Sequence, residues 1–444
     1  MVYMQIAISF LALLFISGCA EKSTAPAPEM LIIDNEIADV REYPQSIEPY
    51  LKNFSCEPNG KEQYEEFNKN FYLPWTMSEP SVDKNSAMWA WNIYTKGESY
   101  GSNLRLNEPK WFEEVKENAN FEKYATLNRH AASMHYANLR AFPTHRPLFR
   151  DFKEAGEGFP FDYLQNSSVN PMEPLFVTHY SKDKAWVHVI TSTATGWLRS
   201  REIAYVSDEQ KKIFIQSKHV SIISDKQPVY DKSGEFLFRA RIGMILPVKE
   251  EKQQSYEVLV FKRGLDANAK IESVRVAVEY ASLQGDTMQT LITSQVLNDL
   301  LKTSYGWGGM FEDRDCSATM RDFFTPFGIW LPRNSGAQAK EGRVIDMQAL
   351  SNDEKERLIL DKGIPFRTLL YRKGHIVLYI GEHDGKAMVL QNMWGVKTEI
   401  EENEGRKIVG KTVITTLNPG KEVKGFVDKS SLISRLSSMS ILDF

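Results

Sequence analysis

Arg314-Asp315-Cys316-Ser317 and Gly374-His375-Ile376-Val377-Leu378-Tyr379-Ile380-Gly381 are the stretches from which the fold is read. The first precedes a helix-prone segment, 318–324, which Pro326 and Gly328 end. That puts the thiol of Cys316 at a helix N-terminus, where unpaired N–H groups and the helix dipole favour negative charge, so a lowered thiol pKa is expected. Asp315 is the expected N-cap, accepting from the N–H of Ser317 or Ala318. Helix position alone fits an inert buried cysteine equally well. The second stretch separates the two readings: a glycine and a histidine open a strongly β-prone run, which fixes the imidazole at a strand start. Of the eight histidines in the chain, His375 stands out because it follows Cys316 within one domain, as a helix-borne nucleophile and a sheet-borne base require.

A third group should orient the imidazole, and Gln391 in Leu390-Gln391-Asn392 is the candidate, with Asn392 as the alternative. A two-residue turn at Asp384-Gly385 would put His375 and Gln391 on opposite faces of the hairpin. A five-residue loop over 382–386 would set Val377 across from Gln391 and leave His375 and Gln391 as diagonal neighbours on one face, so the longer loop is expected.

Upstream of Cys316, Leu291, Ile292, Val296, Leu300 and Leu301 mark one face of a helix over 288–303, and strand patterns follow at 375–381 and 388–392. The expectation is a helix-first α+β domain over 284–430 with a tail at 431–444. Before it come short period-two runs at 185–191, 196–199, 236–242 and 255–262, which fit two small β-barrels, 141–217 and 218–283. Trp186 and Trp197 are expected in their cores. Residues 41–140 are expected to be helical, with Tyr64, Phe67, Phe71, Trp89, Ile93 and Trp111 at helical spacing. Residues 20–40 read as a flexible tether. Residues 6–16 are apolar except for Ser9, the length of a signal-peptide core, and Ile16-Ser17-Gly18-Cys19 looks like a lipobox that would cut before Cys19 and attach lipid to it.

The 444 residues, 42% hydrophobic and 25% charged, make an ordinary globular composition. The net charge of −4 supplies no basic field for nucleic acid. Cys19, Cys56 and Cys316 are the only cysteines. A Cys56–Cys316 bridge is the competing reading, disfavoured by the surroundings of Cys316. No metal-ligand spacing or cofactor motif is present, so neither metal nor cofactor is expected.

Tyr305-Gly306-Trp307-Gly308-Gly309, the Cys316 and His375 motifs, and Gly328-Ile329-Trp330-Leu331-Pro332-Arg333-Asn334-Ser335 together resemble the NlpC-type cell-wall peptidases, papain-like enzymes with a circularly rearranged core. Pro143-Thr144-His145-Arg146-Pro147, Gly156-Glu157-Gly158-Phe159-Pro160 and His179-Tyr180-Ser181-Lys182 are similar to the branch with two bacterial SH3 domains. The resemblance spans roughly residues 60 to 420. It implies a thiol peptidase cutting between γ-D-glutamate and a diamino acid in peptidoglycan stem peptides, with Cys316, His375 and Gln391 as the catalytic set. That family usually has histidine where Gln391 stands. It further implies that Tyr305, Asp315, Ser317 and Ser335 line the substrate groove and that the first SH3 domain closes one end of it, with Tyr180 meeting a substrate amine. Arg333 would face a glutamate carboxylate or form a surface ion pair. The expected partners are stem peptides or muropeptides and, through the lipid, a membrane of the cell envelope on its periplasmic face. A monomer is expected. The alternatives are a non-catalytic wall-binding lipoprotein and an acyltransferase using the same thiol.

Overall fold

The β-branched run after Gly374 becomes the interior strand His375–His383 of a six-stranded antiparallel sheet. The strand order is Arg343–Asp346, Ser438–Ile441, Thr368–Arg372, His375–His383, Lys386–Ile400 and Asn403–Thr415. A strand covered on both faces reads as a continuous apolar run. Ile376, Leu378 and Ile380 pack with Met320, Phe323 and Phe324 on one face, and Val377 and Tyr379 pack with Ile359 and Leu432 on the other. This computed structural model describes residues 36–52, 54, 61–285 and 288–443. The signal segment, Cys19 and Cys56 lie outside the described residues.

The helix Cys316–Phe324 forms because Asp315 caps it and an apolar face faces the sheet. Burying Phe323 and Phe324 contributes roughly 1.5–3 kcal/mol each. The helix runs into a turn at Thr325–Phe327 and stops at Gly328 in the left-handed region, φ 69°. The expected helix at 288–303 is Thr290–Leu300.

The hairpin that carries His375 differs from expectation. Its turn is tight, with His383 paired to Lys386 and positive φ at Asp384 and Gly385. The register then shifts between Tyr379 and Gly381, a β-bulge at Ile380, so that Leu378 pairs with Leu390. Continued one residue back, that pairing sets Val377 across from Gln391. The extra residue sits inside the strand and not in the loop, with the same effect on the faces.

Two β-modules precede the sheet. The first is seven-stranded, in the order Gln165–Val169, Ala137–Arg140, Thr195–Arg199, Trp186–Ile190, Pro174–Tyr180, Arg129–Ser133 and Ile203–Tyr205. It begins at Arg129, not 141, because Arg129–Ser133 pairs with both Pro174–Tyr180 and Ile203–Tyr205. Trp186 and Trp197 are buried, but not in the barrel interior as expected: they face outward and pack with Ala87, Trp91, Phe121 and Phe142 under the helical part. The second has a five-stranded sheet made of Ala269–Ala277, Ser255–Arg263, Ile245–Lys252, His219–Ile222 and Ala281–Leu283, with a separate ribbon of Gln227–Tyr230 and Phe236–Ala240.

Helices Lys61–Phe71, Leu73–Thr76, Lys84–Ala87, Trp89–Tyr94 and Pro109–Ala119 make up the helical part. Phe67 and Trp75 pack with the second module's core, and Trp91 stacks on Phe142 with centroids 3.7 Å apart. Ile93 is exposed. Two end segments are more ordered than the sequence suggests. Within the expected tether, Ile37 and Asp39 are buried and Ala38–Glu42 is helical. Within the expected tail, Ser438–Ile441 pairs with Arg343–Asp346 and Thr368–Arg372 inside the sheet.

Candidate active site

Cys316 opens its helix at 8% exposure, and Asp315 accepts from the Ala318 N–H at 2.9 Å. The sulfur faces the backbone N–H of Ile376, the residue after His375, and that of Ser317. Burial pushes the thiol up to about 12 and the Asp315 charge adds to this, outweighing the two N–H groups and Arg333. The expectation of a lowered thiol pKa is therefore corrected: the helix terminus is present, but enclosure and a neighbouring carboxylate reverse its effect. Burial also lowers His375, to about 4, against the bond from Gln391.

His375 Nε2 lies 2.8 Å from Gln391 Oε1. Asn392, the alternative third residue, instead donates to the carbonyls of Ser304 at 3.4 Å and Arg314 at 2.9 Å. It does not reach the imidazole.

The thiol opens into a cleft of about 390 Å³. Tyr305, Asp315, Ser317, Arg333 and Ser335 line the side of it that carries the thiol. Burial, with the charges of Cys316 and Asp315, drives the Tyr305 phenol far above its usual range, so it stays protonated and able to donate. Arg333 is neither free nor at the surface. It grips Asp315 at 2.6 and 3.0 Å and also donates to Ser317 Oγ at 2.9 Å and Ser167 Oγ at 2.7 Å. Burial alone would raise the Asp315 carboxyl, but the Arg333 guanidinium outweighs it and holds the group ionised.

Tyr180 is not in the cleft. Its hydroxyl bonds to that of Tyr205 at 2.6 Å, against the interior cluster of the first module. The wall opposite the thiol is made instead by Gln165, Asn166, Thr193, Ala194 and Thr195 of the first module, with Trp89 from the helical part. Sequence reading missed these residues. Their only signal, a Thr-Ser-Thr turn at 191–193, is that of any polar loop.

Both modules hold the segment between Tyr305 and Cys316. Trp307 Nε1 donates to the Asp162 carbonyl at 2.9 Å, and Gln165 Nε2 to the Gly308 carbonyl at 3.1 Å. At Gly308, φ 58°, a Cβ would come within 2.6 Å of the Gln165 carbonyl, so only glycine permits this approach. From the second module Asp225 accepts twice from Arg314 at 2.8 Å, while Asp322 accepts from it at 2.6 Å. Arg241 donates to the Glu312 carbonyl. Burial would raise Asp225, but Arg314 overrides this and holds it at about 2.

Four segments of the chain match family models: residues 302–410 the NlpC/P60 family, 8–124 the N-terminal NLPC_P60 stabilising domain, 147–199 an SH3 domain of SH3b1 type and 207–253 an SH3 domain of SH3b2 type. Among solved structures, a novel NlpC/P60 endopeptidase from Photobacterium damselae subsp. piscicida is similar with TM-score 0.78 and 24% identity, over 92% of this chain and 99% of that one. An NlpC/P60 family protein from Bacillus cereus ATCC 10987 aligns with TM-score 0.45 and 16% identity, over 70% of this chain and 98% of that one. At these identities the first likeness shows the shared fold. The comparison with curated proteins found no match.

Proposed function

We propose, from the premise that this chain belongs to the NlpC/P60 family with two bacterial SH3 domains ahead of its catalytic domain, that it is a cysteine peptidase of the cell envelope cutting peptidoglycan stem peptides at the γ-D-glutamyl-diamino acid bond. The observation that carries this is Cys316 at the head of its helix beside the strand of His375, with the imidazole bonded to Gln391, in a cleft walled by the first SH3 domain.

In this reading the Cys316 sulfur attacks the γ-carbonyl carbon while its proton passes to His375. The imidazolium returns that proton to the nitrogen of the leaving diamino acid as the C–N bond breaks, which leaves a thioester. Water, deprotonated by the same imidazole, then hydrolyses the thioester. Tyr305, Asp315, Ser317 and Ser335 bind the amine and carboxylate groups of the peptide. The wall at Asn166, Thr193 and Thr195 leaves space for a free L-Ala amine but not for an attached glycan. Lipid on Cys19 would hold the enzyme to an envelope membrane, and Cys19→Ser should then move it to the soluble exported fraction.

The test digests L-Ala-γ-D-Glu-diamino acid peptide and its N-acetylated form, with products read by mass spectrometry. Wild type should cut the free peptide with a far higher kcat/KM than the acetylated one, because a site built for a charged amine is left unpaired by the amide. Cys316→Ala should abolish cleavage with its thermal transition nearly unchanged. Retained turnover in that variant would remove the nucleophile assignment. Products joined to an added amine in place of hydrolysis would establish an acyltransferase.

A further inference from the structure

Behind Gln391 runs a row of hydrogen bonds that the chemistry above does not use. Gln391 Nε2 donates to Thr415 Oγ1 at 2.6 Å, and the Thr415 hydroxyl donates to the Thr416 carbonyl at 2.8 Å. The N–H and the hydroxyl of Thr416 donate to Asp39 Oδ2 at 2.7 and 2.8 Å. Gln391, Thr415, Thr416 and Asp39 are all buried. Water therefore does not replace a lost partner.

The direction of each bond follows from the groups involved. A carbonyl only accepts, so the single hydroxyl proton of Thr415 is committed to Thr416 and its oxygen is left as an acceptor. The amide end facing it must then be the NH₂, which turns Oε1 of Gln391 toward the imidazole. An oxygen there demands a proton on His375 Nε2, leaving the lone pair on Nδ1. With the amide reversed, two acceptors would face each other beside Thr415, and the imidazole would have to carry its proton on Nδ1. That nitrogen could then take nothing from the thiol.

We propose that Thr415 is a positioning residue, selecting through the Gln391 amide which ring nitrogen of His375 is free to accept the Cys316 proton, and that Asp39 holds Thr416 in the orientation this selection needs. The proposal deepens the reading of Cys316 and His375 as nucleophile and base, and rests on it. It also gives the segment just before Glu42 a task. Gln45 supports the same stretch, with its Nε2 donating to the Ile414 carbonyl at 2.8 Å and its Oε1 accepting from the Ile414 N–H at 3.0 Å. Two side chains from the N-terminal segment thus hold residues 414–416 from behind, and from the Thr416 carbonyl the effect reaches the imidazole through three further hydrogen bonds.

The test uses the full chain labelled with ¹⁵N at histidine and reads the His375 ring nitrogens without substrate, beside steady-state kinetics. Wild type should show the proton on Nε2 and a bare Nδ1, and Thr415→Ser, which keeps the hydroxyl, should match it. Thr415→Val keeps the shape and loses the acceptor. It should populate the other tautomer and lower kcat by about 10- to 100-fold, the usual effect of removing an outer partner of a site ligand, with KM little changed. Asp39→Leu, which leaves Thr415 in place, should move the ring signals in the same direction by less. A wild-type ring protonated on Nδ1 overturns the proposal without any variant, and unchanged ring signals in Thr415→Val overturn it as well. Unchanged signals in Asp39→Leu overturn the part assigned to Asp39. Because the ring is read without substrate, the expected pattern of shifts in a protein that cuts no stem peptide would uphold this proposal and sink the functional one.

Discussion

The two SH3 modules share an architecture of short antiparallel strands, yet they engage the catalytic domain on different terms. The first reaches the thiol cleft with neutral groups: Asn166, Thr193 and Thr195 line it, and Ser167 and Gln165 bond to Arg333 and to the Gly308 carbonyl. The second puts no residue into that lining. It grips the chain just before Cys316, through the buried pair of Asp225 with Arg314 and the bond of Arg241 to Glu312. Neutral hydroxyl and amide contacts tolerate change in small steps. A buried ion pair is lost as a unit, because removing one partner strands the other. One module therefore lines the cleft, while the other holds the element that carries the sulfur.

Breaking the ionic grip should have the largest effect. Arg314→Met strands the buried Asp225 and leaves Asp322 only the more distant Arg321, at 3.7 Å, and should cost about 3–5 kcal/mol, read as a lower thermal midpoint. A midpoint equal to that of wild type would show that the second module is not tied to the catalytic domain in this way.

Asp225→Asn sharpens the comparison through pH. The native carboxyl sits at about 2, below its ordinary 3.8, so its contribution is fully present above 3.8 and is lost as pH falls from 3.8 toward 2. The shift corresponds to about 2 kcal/mol. The variant should be less stable than wild type by about that much at pH 7 and converge with it near pH 2 in urea titrations. Parallel pH curves would place the source of stability elsewhere.

The smallest effect on stability belongs to the first module. Thr193→Gly combined with Asn166→Ala, which loses the Asn166 bond to the Thr195 carbonyl, should cost about 1 kcal/mol while narrowing the preference for free over N-acetylated peptide several-fold. Unchanged discrimination would remove these residues as a restricting wall and make the two modules more alike than they look.

The grouping of Cys316, His375 and Gln391 was legible because each has a local signature: a capped helix start, a glycine-histidine strand start and a position set by hairpin register. Even so, the register was reached by a different route, since a bulge at Ile380 inserts one residue without any compositional mark, while the turn is the Asp384-Gly385 that the sequence advertises. The thiol was misjudged because helix position is a local property and burial is not. Tyr180 and the true wall at Thr193 and Thr195 lie more than a hundred residues from Cys316, and only the docking of one module on another chooses between them. Asp39 was hidden for the same reason: it stands in a stretch with no apolar period, and its partner is 377 positions away.

The strand Ser438–Ile441, paired on both sides between Arg343–Asp346 and Thr368–Arg372, imposes a timetable on manufacture. Chains fold as they are made, early parts first, and both SH3 modules have all their strands by residue 283. The sheet that carries the histidine does not, for one of its interior members arrives only when residue 441 has been added. A copy interrupted between 415 and 438 holds finished modules beside a sheet that lacks this strand, with Arg343–Asp346 and Thr368–Arg372 left as open edges. The strand that bears His375 thus acquires its full sheet only when nearly the last described residues have been made.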